Sequence, residues 1–306
     1  MSPWVRPPRV GVALSGGGSR GLAHIGVLKM LERDGIPVHF LAGTSMGGVI
    51  AAGYAAGLGV AYLEEEALRM GKLRNLANLI DRSLPGQGLM GGQRIREYFA
   101  RELGEIAFAE LRIPLALVAV DIVRGEEVVL RDGSVADAGR ATISLPGVFA
   151  PFRMKGRLLV DGGVLNNLPV DVVRGMGADV VIAVDVSTRP EGWPQLTRME
   201  KRRLSHIQVG LMVETLQRTV GIMGRQIAAQ KLLLARPEVL IRPALDNDIN
   251  LVSGFAKTGS CIAAGESATI SALPAIRRAL RTRPGFLHPQ FLRRQAQTCS
   301  VQLPEN

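Results

Sequence analysis

Three glycine-punctuated stretches carry the residue types that chemistry would need. The first is Gly43-Thr44-Ser45-Met46-Gly47. It fits G-x-S-x-G, in which a Ser stands at a sharp strand-to-helix turn with its hydroxyl exposed. The flanks agree with that context. Val38-His39-Phe40-Leu41-Ala42 precedes it as a short apolar run, and residues 48–57 follow as a small, apolar, helix-like stretch. Gly43 and Gly47 remove the Cβ atoms that would collide where strand and helix converge. The helix start offers its positive dipole end to an oxyanion. The chemistry implied is nucleophilic attack on an acyl carbonyl, provided a base lies within reach of the Ser.

The second stretch is Ser15-Gly16-Gly17-Gly18-Ser19-Arg20-Gly21. It lies between a β-type run at 9–14 and a helical pattern at 22–32, in which Leu22, Ile25, Leu28 and Leu31 recur at threefold spacing. Gly16, Gly18 and Gly21 match G-x-G-x-x-G, which has several readings. A dinucleotide site calls for an acid about twenty residues on, at the end of the next strand; here that strand ends at Ala42-Gly43-Thr44-Ser45. A P-loop calls for Lys followed by Ser or Thr after the glycines, and none follows. An oxyanion hole needs converging backbone N–H groups at a helix start, which consecutive glycines supply. The proximity of Ser45 favours the oxyanion hole. A nucleotide-binding regulatory protein and a merely structural turn are the alternatives.

A Ser needs a base, and His is the usual one, but none of the four is well placed. His24 falls inside the first helical pattern among apolar neighbours, and His39 sits in the strand before Ser45. His288 lies in a Pro-containing tail. His206 follows Ser45 and Asp161 in hydrolase order, but in a helical stretch rather than a loop after a strand. The third stretch, Arg157-Leu158-Leu159-Val160-Asp161-Gly162-Gly163, offers a carboxylate instead. Asp121 and Asp185 also end strands, where Asp often caps a turn. What separates Asp161 is Gly162-Gly163, which allows another segment to come close. An Asp within hydrogen-bond reach can take the Ser proton and later activate water.

Together the three stretches, in this order and spacing, resemble the motifs of the patatin-like phospholipases. The run from Leu145-Pro146-Gly147-Val148-Phe149 to Val164-Leu165-Asn166-Asn167-Leu168-Pro169 resembles the bacterial branch related to neuropathy target esterase. The resemblance implies an α/β fold, a three-layer α/β/α sandwich with a mostly parallel central sheet. It implies a Ser-Asp dyad hydrolysing acyl esters of phospholipids or lysophospholipids. It places the nucleophile at Ser45, the proton acceptor at Asp161 and oxyanion donors at Gly16, Gly17 and Gly18. Arg20 enters as a supporting or phosphate-facing charge beside them. Gly21, Gly43, Gly47, Gly162 and Gly163 match motif glycines. No metal or cofactor is expected.

These residues must be held by an α/β framework, because strand, glycine loop, helix, strand, elbow and helix occupy the first fifty or so positions. Further helical patterns fall at 61–77, 94–103, 136–143 and 170–176. Strand patterns fall at 114–122, 127–130 and 178–186. Residues 195–234 read as one long, broken helix, and 253–281 as a helix broken at Pro274. The expected organisation is one catalytic domain over 9–283, with a motif-bearing core at 11–187, a helical part at 194–283 and a polar tail at 284–306.

Residues 41–63 carry no charge and could span a bilayer by length. The elbow reading claims them instead as strand end, turn and buried helix. Two cysteines with no C-x-x-C argue against a disulfide framework, and no secretory leader pattern opens the chain. Cytoplasmic residence, with peripheral membrane contact, is the expectation. The net charge of +10 suits nucleic acid or an anionic membrane. Aromatics at 4% and the absence of a recognition module speak against nucleic acid. The Arg198–Arg203 cluster and the apolar loop at 84–90 are the candidate membrane contacts, and a lipid ester is the expected substrate. Oligomeric state is not readable from the sequence.

Overall fold

Val10-Gly11-Val12-Ala13-Leu14 and Leu115-Ala116-Leu117-Val118-Ala119-Val120-Asp121 contain no alternation of polar and apolar residues. Such runs suit strands covered on both faces, as in a parallel sheet between helical layers. A computed structural model of the chain describes residues 5–72, 79, 81, 90–187, 205–246, 249, 253–282 and 285–286, and in it both runs are wholly buried strands.

The strands are β1 (Val5–Arg6), β2 (Val10–Leu14), β3 (Phe40–Thr44), β4 (Leu115–Asp121), β5 (Glu126–Leu130), β6 (Phe152–Met154), β7 (Arg157–Asp161), β8 (Val180–Val184), β9 (Val239–Ile241) and β10 (Gly285–Phe286). The described α-helices are α1 (Ala23–Arg33), α2 (Met46–Ala56), α3 (Val60–Met70), α4 (Gln93–Leu103), α5 (Val135–Thr142), α6 (Val170–Gly175), α7 (Ser205–Ala235) and α8 (Thr258–Thr282). The main sheet has the order β6-β7-β4-β3-β2-β8-β9, with β5 also paired to β4. β2, β3, β4, β8 and β9 run parallel; β5 and β7 are antiparallel to β4. One face packs α1, α2 and α8 through Ile25, Leu28, Ile50, Ile262 and Ile276. The other packs α6 and α7 on Ala13, Ala42, Ala116 and Val181. The fold is a three-layer α/β/α sandwich.

Several expectations need correction. The glycine loop passes through a 3₁₀ turn, Gly18–Leu22, before α1 begins. Pro274 does not break α8. It removes one N–H bond to Ile270, but both residues lie on the exposed side, where the freed carbonyl is open to solvent. Among the described residues α7 is continuous. Gly285–Phe286, within the expected tail at 284–306, pairs with Val5–Arg6. Residues 41–63 form the end of β3, the elbow, α2 and the start of α3; among the described residues no helix is long and apolar enough to cross a membrane. The Arg198–Arg203 cluster, His288, Cys299 and the loop at 84–89 lie outside the described residues, as does the side chain of His206.

Candidate active site

Parallel strands end at a common edge, and the first two motifs arise there. Leu14 pairs with Gly43, so the glycine loop after β2 and the elbow after β3 emerge side by side. Along β4, Val118 faces Thr44 and the next residue, Ala119, faces Asp161. The Ser and the Asp are thus brought to consecutive rungs of one strand, although 116 residues separate them.

Ser45 is a non-glycine residue at φ 54° and ψ −128°, a backbone conformation that costs on the order of 1–3 kcal/mol. The strain is held by close approach. A Cβ on Gly47 would lie 2.4 Å from the Ser15 carbonyl oxygen, and one on Gly162 would lie 2.4 Å from that of Val118. Gly21, Gly43 and Gly163 likewise face Met46, Gly48 and Asn167 with little room for a side chain. The Ser45 N–H donates to Thr142 Oγ1 at 2.9 Å, and that hydroxyl donates to the Val118 carbonyl at 2.6 Å. Thr142 therefore pins the strained turn to β4.

Ser45 Oγ donates to Asp161 Oδ2 at 2.6 Å. The other carboxylate oxygen accepts the Gly163 N–H at 2.8 Å. Asp161 is only 3% exposed. Burial pushes its pKa up from 3.8 to about 6, with the bonds from Ser45 and Gly163 opposing the rise. A carboxyl so placed accepts a proton near neutrality better than an exposed one does.

The glycine loop lies against this pair: a Cβ on Gly16 would come 3.1 Å from that of Ser45. Its donors divide unevenly. Gly16 N–H is taken by the Asn167 carbonyl at 3.0 Å, and Asn167 Nδ2 donates back to Gly16 O. Arg20 N–H is taken by Gly17 O. Among the described residues the N–H groups of Gly17 and Gly18 have no acceptor, so of the three glycines expected as donors Gly16 is engaged and these two are not. Arg20 does not face the site. It is buried, and its guanidinium donates to the carbonyls of Val186, Asp246 and Ile249. Its part is to anchor the loop to the chain after β8.

The two described histidines, His24 and His39, stay outside the pair. His24 is wholly buried, bonded through Nε2 to Ser15 O at 2.8 Å. Burial drives its pKa down to about 4, so at neutral pH it is an uncharged support under the glycine loop. His39 Nδ1 accepts the Val10 N–H. Asp121 caps the β4–β5 turn and pairs with Arg124, and Asp185 pairs with Arg242. These two are structural carboxylates.

Three contributors escaped the sequence reading. Thr142 sits in an ordinary helical pattern with no signal of its own. Asn166 and Asn167 carry one: a polar pair between Leu165 and Leu168. Thr44 Oγ1 donates to the Asn166 carbonyl, and the Asn166 side chain donates to Glu127 and Asp171, both paired with Lys231 of α7. This asparagine pair ties elbow, glycine loop and α7 together.

The patatin-like phospholipase family model matches residues 12–174, more than half of the chain and all three motifs. The chain belongs to the patatin-like phospholipase family. Within this family, it is 38% identical over 187 residues to an uncharacterised NTE family protein of Mycobacterium tuberculosis, covering 60% of this chain and 51% of the relative. It is 36% identical over 186 residues to the human patatin-like phospholipase domain-containing protein 6, covering 60% of this chain and 14% of the relative. It is 35% identical over 191 residues to the Aspergillus fumigatus protein named lysophospholipase nte1, covering 61% and 12%. The chain thus spans about half the length of the mycobacterial relative and a small part of the other two. VipD from Legionella pneumophila shares the patatin-like architecture at a TM-score of 0.56 and 13% identity, over 92% of this chain and 68% of that one.

Proposed function

We propose that this patatin family protein hydrolyses acyl esters of phospholipids or lysophospholipids, with Ser45 as nucleophile and Asp161 as proton acceptor. The observation that carries the proposal is the 2.6 Å bond from Ser45 Oγ to a buried carboxylate whose pKa lies at about 6. The name lysophospholipase on a relative supports the substrate class. Asp161 Oδ2 takes the Ser45 proton as Oγ bonds to the ester carbonyl carbon. Negative charge builds on the carbonyl oxygen, where the N–H groups of Gly17 and Gly18 and the start of α2 offset it. The intermediate collapses, the carbon–oxygen bond to the alcohol breaks, and the alcohol leaves with the proton from Asp161. Water then gives its proton to Asp161 as its oxygen bonds to the acyl carbon; the bond from that carbon to Ser45 Oγ breaks, Oγ takes the proton back from Asp161, and the fatty acid is released.

Substrates of this class are held in bilayers or micelles, so the protein works at a lipid surface from the aqueous side. The test uses a fluorophosphonate probe and a panel of phospholipids, lysophospholipids and short p-nitrophenyl esters. Wild-type protein labels once and hydrolyses a lipid ester. Ser45→Ala does neither while remaining folded. Labelling that persists in Ser45→Ala would overturn the assignment of the nucleophile.

A further inference from the structure

The described residues include eleven exposed large hydrophobic side chains, and six of them lie on α7: Met212, Leu216, Ile222, Met223, Leu233 and Leu234. At 100° per residue, Met212, Leu216, Met223 and Leu234 fall within about 40° of one another around the helix. They form a stripe. The inward face is different: Gly224 is buried against the Gly163 carbonyl, and Ala228, Leu232 and Ala235 pack on the sheet. The stripe therefore lies to one side of the contact that seats α7 on the Asp161 turn.

The direction of α7 places this stripe relative to the site. α7 leads into β9, which runs parallel to β8 and so starts at the edge of the sheet opposite the dyad. Gly224 lies level with Gly163, at the dyad's edge. The part of α7 before Gly224 must then continue past that edge, by about 28 Å if straight. Met212, Leu216 and Met223 belong to this projecting part. The β4–β5 turn projects at the same edge. Asp121 lies three residues beyond Val118, the partner of Thr44, and the turn that follows exposes Ile122 and Val123. Lys231, beyond Gly224 on the seated part of α7, bridges to Glu127 of β5 and ties the helix to the strand that leaves this turn.

We propose that the projecting part of α7, with the β4–β5 turn, is the face by which this protein seats on an anionic phospholipid surface. Clustered apolar side chains at one edge of a folded domain mark an interaction surface. Two observations make a lipid surface the occupant. The patch lies at the edge of the sheet that carries the dyad. The whole chain carries a net charge of +10, which draws it to acidic lipid. Met, Leu and Ile at such an interface enter the acyl boundary. This inference rests on the lipid-ester reading above but is tested separately from it.

The experiment compares wild-type protein with Met212→Glu/Met223→Glu and with Ile122→Ser/Val123→Ser, each checked for folding by circular dichroism. Binding is measured by flotation with vesicles of phosphatidylcholine alone and of phosphatidylcholine with phosphatidylglycerol. Hydrolysis is measured on vesicle phospholipid and on soluble p-nitrophenyl butyrate. The expected result is wild-type binding to the acidic vesicles, weakened at least tenfold in each variant. Hydrolysis of vesicle lipid falls in parallel, and hydrolysis of the soluble ester is unchanged. If the α7 variant misfolds, Met212→Cys in a Cys299→Ser background carries an environment-sensitive dye, whose emission shifts to the blue on acidic vesicles. Vesicle binding that is absent in wild type, or equal in wild type and variants, overturns the proposal. So does a wild-type dimer that the α7 variant converts to monomer without loss of vesicle binding, because the occupant is then a second copy of the chain. Loss of vesicle binding in protein that hydrolyses no ester would sink the hydrolase reading and leave the docking face standing.

Discussion

The Asp161 carboxyl is kept where ionisation is costly, and this couples activity and stability to pH in opposite directions. In the proposed reaction Asp161 is the base and must be ionised, so kcat/KM is expected to fall below about pH 6. Stability runs the other way. Below the unfolded value of 3.8 the carboxyl is protonated in both states. As pH rises through about 6 the unfolded chain has ionised freely and the folded chain loses stability, by about 3 kcal/mol at neutral pH. Asp161→Asn is therefore expected to lower kcat by roughly a thousandfold or more, in line with loss of a base in such machinery, and to raise the melting temperature at pH 7. The gain should vanish near pH 4. Calorimetry at the two pH values checks it, and a melting temperature that falls at pH 7 would refute it. Thr142 acts one bond further out, through the Ser45 N–H. Thr142→Val should reduce kcat tenfold or more with KM little changed, and Thr142→Ser should restore most of it. Equal losses in the Val and Ser variants would mean that the hydroxyl does not position the elbow.

Among the elements, the tightest crossing joins α1 and α8. A Cβ on Gly26 would lie 2.0 Å from the Ile262 carbonyl oxygen, and one on Gly265 would lie 2.0 Å from that of Ala23. Two helices meet backbone to backbone because each offers a glycine at the crossing. The same α1 carries His24 under the glycine loop. Gly265→Val should thus force the helices apart and cost about 3 kcal/mol, at the upper end of overpacking penalties. Because the dyad is held by β3, β4 and β7, the protein that remains folded should keep a near-normal KM. Denaturant unfolding and steady-state kinetics read the two effects independently. The spacing of Leu22, Ile25, Leu28 and Leu31 revealed that α1 is a helix. It contained nothing about Gly265, because the contact partner lies more than 230 residues away.

For the molecule as a whole, charge and apolar surface act over different ranges. The +10 charge works through solution and is screened over about 10 Å at 0.1 M salt. The exposed residues of α7 work only in contact. Binding to acidic vesicles should therefore weaken as salt rises from 0.05 to 0.5 M, by about tenfold or more, yet keep a residue that salt does not remove. That residue should disappear in Met212→Glu/Met223→Glu. Salt-independent flotation would show that the net charge plays no part in the encounter.

Residue identity and local spacing were enough to single out Ser45 and Asp161, since an elbow and a strand-end Asp-Gly-Gly are written in adjacent residues whose backbone demands are local. They were also enough for the α/β class, because uninterrupted apolar runs separated by helical periodicity leave few ways to bury both. The meeting of the two residues was not written there. It depends on which rungs of β4 accept β3 and β7, a register set by the packing of the whole sheet. Nor could the sequence divide the glycine loop into spent and free donors, since Gly16 differs from Gly17 and Gly18 only in the distant Asn167 carbonyl that reaches its N–H. Thr142 and Gly224 stayed silent for the same reason: a hydroxyl and a missing side chain acquire a role only from what the fold brings against them.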